Sequence, residues 1–240
     1  VGYNLGDITE SFATGNVVTG SILANPGIST GARVAAGGLV ANNIGNIGSS
    51  YTTGDVETGS VPFGDAPTRA GGLVGNNGGF TAQGSIDESY AAGEVTGGQG
   101  ANLGGLVGSN GEFEFSSGDV TDSYWDVDAT GQTESDGSDN TFGLNTEQMT
   151  GEDALNDGNI GAFDESTWNT VTDPVGYPVL DAIDEDSQTT TVGPTPASAV
   201  SSVTAPDVTA DGTTAGGTYS AGLDESVEVP VTFTLTDGSI

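Results

Sequence analysis

The chain has no cysteine, no histidine and no lysine, and its only basic residues are Arg33 and Arg69. Without cysteine there are no disulfides and no thiolate metal sites. Without histidine there is no imidazole-ligated metal and no Ser-His or Cys-His nucleophile pair, and without lysine there is no Schiff base. Two arginines against 34 acidic residues give a formal net charge of −32. A phosphate-backbone partner needs a basic face to release counterions, so nucleic acid is excluded as a partner. Long apolar runs are missing too. The longest apolar-rich stretches are four or five residues, such as Tyr177–Leu180, too short for a membrane span or a signal-peptide core. No Asn-x-Ser/Thr sequon occurs, so N-glycosylation is not expected.

What is abundant is glycine, 41 of 240 residues, together with acid. Leu, Ile, Val and Phe make up about 21% of the chain, a composition on the border of disorder. In dilute buffer a charge of −32 on 23.7 kDa repels itself. At about 1 M salt the Debye length falls to roughly 3 Å and that repulsion largely disappears. Acid without lysine therefore reads as adaptation to molar salt, as in proteins of halophilic archaea or bacteria. A calcium-loaded extracellular protein is the competing account.

Internal repetition decides between disorder and a fold. Gly-Gly-Leu-Val occurs at Gly37–Val40, Gly71–Val74 and Gly104–Val107, followed by Ala-Asn-Asn, Gly-Asn-Asn and Gly-Ser-Asn. Between these blocks a second one recurs: Ser11-Phe12-Ala13-Thr14-Gly15, Ser50-Tyr51-Thr52-Thr53-Gly54 and Ser89-Tyr90-Ala91-Ala92-Gly93, with Ser123-Tyr124-Trp125-Asp126 as a variant. Val1-Gly2-Tyr3-Asn4 matches the end of the first block, so the chain is expected to open inside a repeat. The blocks are constant and the links between them vary in length, the pattern of a solenoid with loops inserted at fixed corners. Leu-Val and Ile-x-x-Ser-Tyr favour strands, and glycine at this density would cost a helix roughly 1 kcal/mol per residue. Asn42-Asn43, Asn76-Asn77 and Asn110 are expected at corners, where asparagine tolerates left-handed backbone and can stack on its equivalents. The recurring Phe12, Tyr51, Tyr90 and Tyr124 are expected to form a stacked aromatic ladder, with a carbohydrate platform as its candidate use.

These two blocks, recurring in order, resemble the GLUG repeat of large bacterial and archaeal surface proteins. Ser123-Tyr124-Trp125-Asp126, Thr130-Gly131-Gln132, Gly143-Leu144, Thr146-Glu147-Gln148-Met149 and Gly176–Leu180 resemble the segment that follows the last such repeat. The resemblance covers roughly residues 1 to 180 and implies a β-helical stalk or adhesin-like module. The same repeats accompany IgA-specific metallopeptidases, but that activity needs an HExxH zinc motif, and this chain has no histidine.

The expected fold is all-β, a β-solenoid of about four repeats over residues 1–128. A capping segment over 129–183 follows, with Thr146 and Thr150 as N-caps of short helical turns, and it should cover the open end of the solenoid. Residues 184–205 read as a Thr/Ser/Pro linker. The apolar–polar alternation of Val227–Leu235 marks residues 206–240 as the start of a β-sandwich-like domain or as donor strands for a neighbour.

Asp126, Asp128 and Thr130 with Gly131 resemble the opening of an EF-hand-type loop, with Asp136 beside a twelfth position occupied by Gly137 instead of Glu. The alternative is a plain turn that closes the repeats. No cofactor is required by the sequence, and calcium at these four residues is the one candidate. The long links Ser21–Val34 and Val61–Thr68 are expected to be interaction loops, with Ser21, Asn25, Arg33, Phe63, Asp65 and Arg69 as their candidate contacts. Arg69 aligns with Asn102 at a corner, where a local salt bridge is the simplest reading.

The function that follows is an extracellular structural or adhesive module, a salt-adapted stalk or filament building block on the cell surface. The expected partners are other copies of itself, other surface proteins or glycans, and no enzyme activity is expected. A polymerising subunit that adds its C-terminal strands to a neighbour and a glycan-active protein are the alternatives.

Overall fold

A computed structural model of the chain describes residues 1–21, 34–60, 68–79, 83–111, 117–137, 141–156, 159–184 and 187–188. The chain divides into a unit Val1–Val192 and a unit Gly193–Ile240. The second unit lies outside the described residues, as does most of the expected linker and all of the expected sandwich-like segment. The described residues are mostly strands, with three helices of four residues each.

The strands are two to six residues long, and those of residues 1–144 pair in parallel with their equivalents one repeat further on. Ala35–Gly37, Arg69–Gly71 and Asn102–Gly104 form one row. Tyr3–Asn4, Val40–Asn43 and Val74–Asn77 form a second, to which Val107 adds a bridge. Asp7–Thr9, Asn46–Gly48, Ser85–Asp87 and Asp119–Val120 form the third. The fourth runs Phe12–Ala13, Tyr51–Thr52, Tyr90–Ala91, Ser123–Asp126 and Thr141–Leu144. Val17–Val18, Val56–Thr58 and Val95–Gly97 form the fifth. The Gly-Gly-Leu-Val and Ser-Tyr blocks therefore lie on one another in register, as their recurrence predicts.

The repeated residues have repeated local work. Between the third and fourth rows the chain turns through a left-handed residue that is never glycine: Glu10 (φ 46°), Ser49 (43°), Glu88 (45°) and Asp122 (46°). The serine that follows ties the turn down. Ser11, Ser50, Ser89 and Ser123 each donate Oγ to the carbonyl two residues back, at 2.7–2.9 Å. The Oγ of Ser50, Ser89 and Ser123 also accepts the backbone N–H of the preceding repeat's serine, at 3.1–3.2 Å. In the Gly-Gly pair, a Cβ on Gly71 would overlap the Val74 carbonyl oxygen, and one on Gly72 would stand 2.6 Å from the Ala91 Cβ. Both positions are closed to any side chain.

Two apolar clusters hold the repeats together. Leu39, Val40, Ile47 and their equivalents Leu73, Val74, Ile86, Leu106, Val107 and Val120 pack with Trp125. A smaller cluster contains Ala36, Ala70, Val56 and Val95. Side chains alternate across a strand, so in the fourth row Thr52 and Ala91 face the first cluster while Tyr51 and Tyr90 face away from it. Thr52 accordingly donates Oγ1 to the Gly72 carbonyl at 3.0 Å.

The segment after residue 128 does two things. It closes the last repeat. Gly105 N donates to the Glu134 carbonyl, Asp136 N to the Val107 carbonyl, and Ser135 Oγ accepts from the Leu106 and Val107 amides at 3.2 and 2.8 Å. Thr141–Leu144 then supplies a fifth strand to the tyrosine row. The remainder, including the antiparallel pair Trp168–Thr172 and Val175–Leu180, packs along the flank of that row. Its helix Thr146–Met149 is capped by Asn145, which forms a capping box with Gln148, so Thr146 is the first helical residue and Thr150 ends the helix. The asparagine side chain reaches the Gln148 amide at 2.8 Å and takes the place expected of Thr146.

Candidate functional site

The most developed side-chain assembly in the described residues is the tyrosine row and its cover. Phe12 and Tyr51 stack with ring centroids 5.4 Å apart, and Tyr51 and Tyr90 stack at 4.9 Å and 3°. Trp168 leans on both tyrosines, 6.1 and 5.7 Å away, and stacks on Phe163 at 4.5 Å. Met149, Ile160 and Leu180 complete the cluster. Tyr51 and Tyr90 are fully buried. Each spends its hydroxyl on the cover: Tyr51 donates to Gln188 Oε1 at 3.1 Å and Tyr90 to the Pro178 carbonyl at 2.7 Å. Gln188 returns to the same hairpin through both Leu180 backbone groups at 2.9 Å. Burial pushes both tyrosine hydroxyls above their ordinary value. Phe12, Tyr51 and Tyr90 stack as a ladder, Tyr124 instead meets Phe142 and Phe163, and the buried Tyr51 and Tyr90 offer no platform to a sugar.

Asp126 joins this cover to the repeats. It is fully buried. Its Oδ1 accepts the backbone amides of Asp128 and Ala129 at 2.8 and 2.9 Å, capping the helix Val127–Thr130, and its Oδ2 accepts the Tyr177 hydroxyl at 2.7 Å. Burial first, then the bond to Asp126, raise the Tyr177 hydroxyl. Thr130 Oγ1 donates to the Asp126 carbonyl at 2.6 Å. Asp128 accepts from the Thr146 amide at 3.3 Å, and Asp136 accepts from the Asn110 amide at 2.9 Å. The four candidate calcium ligands thus serve a helix cap, the helix behind it and the closing segment 134–136. Among the described residues no group of three or more acidic side chains converges as a metal site.

The polar counterpart of the tyrosine row is an asparagine row. Asn4 Nδ2 donates to Asn43 Oδ1 at 2.8 Å, Asn43 to Asn77 at 2.8 Å, and Asn77 to Asn110 at 3.0 Å. Asn4, Asn43 and Asn77 are buried. Three of the four left-handed corners carry acids, and burial raises the Glu88 carboxyl. Ser49 Oγ, donating to it at 3.2 Å, opposes that rise, and Asp87, Asp164 and Asp122 add to it.

Of the expected interaction-loop residues, Asn25, Arg33, Phe63 and Asp65 lie outside the described residues. Ser21 is exposed, and its Oγ accepts the Ser60 amide at 3.1 Å. Arg69 is not on a loop. It lies in the strand Arg69–Gly71, paired with Asn102 and Ala35, and is 6% exposed. The alignment with Asn102 is as the sequence has it, but the position is inside the stack. Asp126 is a calcium candidate in the sequence and Tyr177 belongs to the Gly176–Leu180 segment of the resemblance, but nothing in the sequence links the two as partners. Gln188, a buried hydrogen-bond hub in a Thr/Ser-rich stretch, carries no signal in the sequence.

A family model described as the GLUG motif matches residues 66–96. That span is one full repeat, from the strand Arg69–Gly71 into the strand Val95–Gly97, and it supports the GLUG reading of the recurring blocks. No curated protein and no solved structure matches the chain. No helix among the described residues is long and apolar enough to cross a membrane.

Proposed function

We propose that the chain is a structural or adhesive module of a cell surface, a β-solenoid spacer built from GLUG-type repeats and adapted to high salt. The observation that carries this is the stacking itself. Five rows of strands repeat in register, and the buried side-chain bonds between repeats come from the asparagine row and the serines, which need neither metal nor counter-charge. Acidic side chains such as Glu57, Asp87, Glu94 and Asp119 stay at the exposed positions of the strands and corners. Such a body is held by short-range contacts and carries its charge on the outside, which suits a rigid spacer in molar salt. The buried tyrosines and the absence of histidine, lysine and cysteine favour a scaffold over an enzyme. The long links Ser21–Val34 and Val61–Thr68, most of which lie outside the described residues, are the proposed ligand-contact segments.

Two measurements test the reading. Antibodies raised against the chain should label intact, unpermeabilised cells of its source; labelling only after permeabilisation removes the surface role. The thermal midpoint should rise steeply between low and molar KCl, and a midpoint independent of salt removes the adaptation.

A further inference from the structure

Carboxylates that reach a neighbouring repeat meet neutral donors there. Asn46 Nδ2 donates to Asp7 at 2.6 Å and Asn16 Nδ2 to Asp55 at 3.3 Å. Ser49 Oγ donates to Glu88 at 3.2 Å, and Thr121 Oγ1 to Asp87 at 2.6 Å. Along the left-handed corners the order is Glu10, Ser49, Glu88, Asp122, so a serine separates the first two acids. The last two have no neutral corner between them. Ser85 and Ile86 pair with Asp119 and Val120, which puts Glu88 and Asp122 at equivalent places on adjacent repeats. Each stands two residues before a tyrosine of the row, Tyr90 and Tyr124.

The cover brings a third acid to this place. The Phe163 ring lies 6.3 Å from that of Tyr90 and 5.5 Å from that of Tyr124, and the Ala162 backbone bonds to the Tyr124 hydroxyl. Asp164 follows directly and is fixed in place. Its carbonyl accepts the amides of Thr167 and Trp168 at 2.9 and 3.0 Å, and its Oδ1 accepts the Ser166 amide at 2.8 Å. The bonds from Ser166, backbone first and side chain second, hold the Asp164 carboxyl below its ordinary value, so it stays ionised. Glu88 is half-buried, whereas Asp87, Asp122, Asp164 and the adjoining Glu165 are exposed. Burial acts first on Glu88, the Ser49 bond opposes it, and the charges of Asp87, Asp164 and Asp122 act in the same direction as burial. Among the described residues the one arginine, Arg69, lies in the first row of strands and not on this seam.

We infer that the contact of Asp164 on the cover with the corner acids Glu88 and Asp122 is a pH- and salt-sensitive latch. The cover seats more firmly on the tyrosine row when Glu88 is protonated or screened, and the stack of repeats does not respond. The apolar cluster holds the cover in either state; the acids set how often it opens. The docked cover disfavours ionised Glu88, so the penalty is complete at neutral pH and lifts as pH falls through the carboxylate range. Salt acts in the same direction, because the Debye length shrinks from about 10 Å at 0.1 M to about 3 Å at 1 M. The latch follows from the charges on this seam, whatever role the module has in the cell.

Amide hydrogen exchange of the full chain tests it, at neutral pH in the lowest KCl that preserves the native ellipticity and again in molar KCl. The amides of Trp168 and Leu180, bonded to Asp164 and Gln188, report on the cover, and those of Val56 and Leu73, bonded to Glu94 and Leu106, report on the stack. At the lower salt Glu88→Gln, which keeps an acceptor for Ser49, should slow exchange at Trp168 and Leu180 by about 2- to 5-fold and leave Val56 and Leu73 unchanged. No slowing, or equal slowing at all four, overturns the latch. Molar KCl should shrink the difference, and an undiminished one overturns its salt sensitivity. Asp164→Asn keeps the acceptor for Ser166 and removes the same repulsion, so its effect and that of Glu88→Gln should combine to less than their sum; full additivity overturns the pairing of the two acids. In the unsubstituted chain the ratio of cover to stack protection should rise as pH is lowered from about 7 to about 5, and it should stay flat in Glu88→Gln. An equal rise in that variant overturns the role of Glu88.

Discussion

Tyr177 donates its hydroxyl to Asp126 Oδ2 at 2.7 Å across 51 residues of chain, inside a cluster closed to water. The contact ties the hairpin that covers the tyrosine row to the aspartate that ends the last repeat. Removing the donor strands a buried carboxylate oxygen, so Tyr177→Phe should cost about 1–3 kcal/mol. Guanidinium denaturation in molar KCl measures it. A loss under about 0.5 kcal/mol would mean that the bond adds little beyond ring packing.

The asparagine row makes a second case. Asn43 accepts from Asn4 and from Gly45 N, and donates to Asn77 and to the Ser85 carbonyl. Asn43→Ala leaves several of these buried groups unpaired at once and should destabilise by about 2–4 kcal/mol. The exposed Asn46→Ala, one turn away on the outside of the stack, should stay within about 1 kcal/mol. Equal losses in the two variants would show that the row is not a source of stability.

Glycine positions separate by space. A Cβ on Gly105 would overlap the indole of Trp125, while one on Gly6 meets nothing within 4 Å. Gly105→Ala should therefore cost about 1–3 kcal/mol through forced movement of the tryptophan. It should also shift the tryptophan fluorescence maximum. Gly6→Ala should be close to neutral in both readouts.

The buried tyrosines set an alkaline limit. Burial raises the hydroxyls of Tyr51, Tyr90 and Tyr177 above their ordinary value near 10. Because the folded state favours the neutral form, their contribution is complete below pH about 10. It falls as pH rises beyond that, by about 1.4 kcal/mol per tyrosine and pH unit. Tyrosinate absorbance at 295 nm should therefore grow together with loss of far-UV ellipticity. Ionisation of these three with the strands intact would contradict their burial.

Much of this architecture is legible in one sequence because a repeat is its own alignment. The spacing of Gly-Gly-Leu-Val and Ser-Tyr places Tyr51 beside Tyr90, Asn43 beside Asn77 and Arg69 beside Asn102, and the pairing agrees in each case. Recurrence does not say which way a side chain points at a turn. Arg69 reads as a corner residue and is buried in a strand. The acids at Glu10, Glu88 and Asp122 read as surface charge, yet they occupy left-handed backbone that the next serine holds in place.

The part that repeats could be read from the residues alone: strands instead of helices, the register of the Gly-Gly-Leu-Val and Ser-Tyr blocks, and the exclusion of chemistry that needs histidine, lysine or cysteine. The part that occurs once emerges only from packing. The hairpin Trp168–Leu180 lies along the flank of the tyrosine row, Asp126 is a buried cap partnered by Tyr177, and residues 134–136 bond to the last Gly-Gly-Leu-Val. The physical reason is that a repeated contact writes itself into the sequence at every turn. A single long-range contact such as Tyr177 with Asp126 leaves no period to read, and is fixed only when packing brings its two ends together.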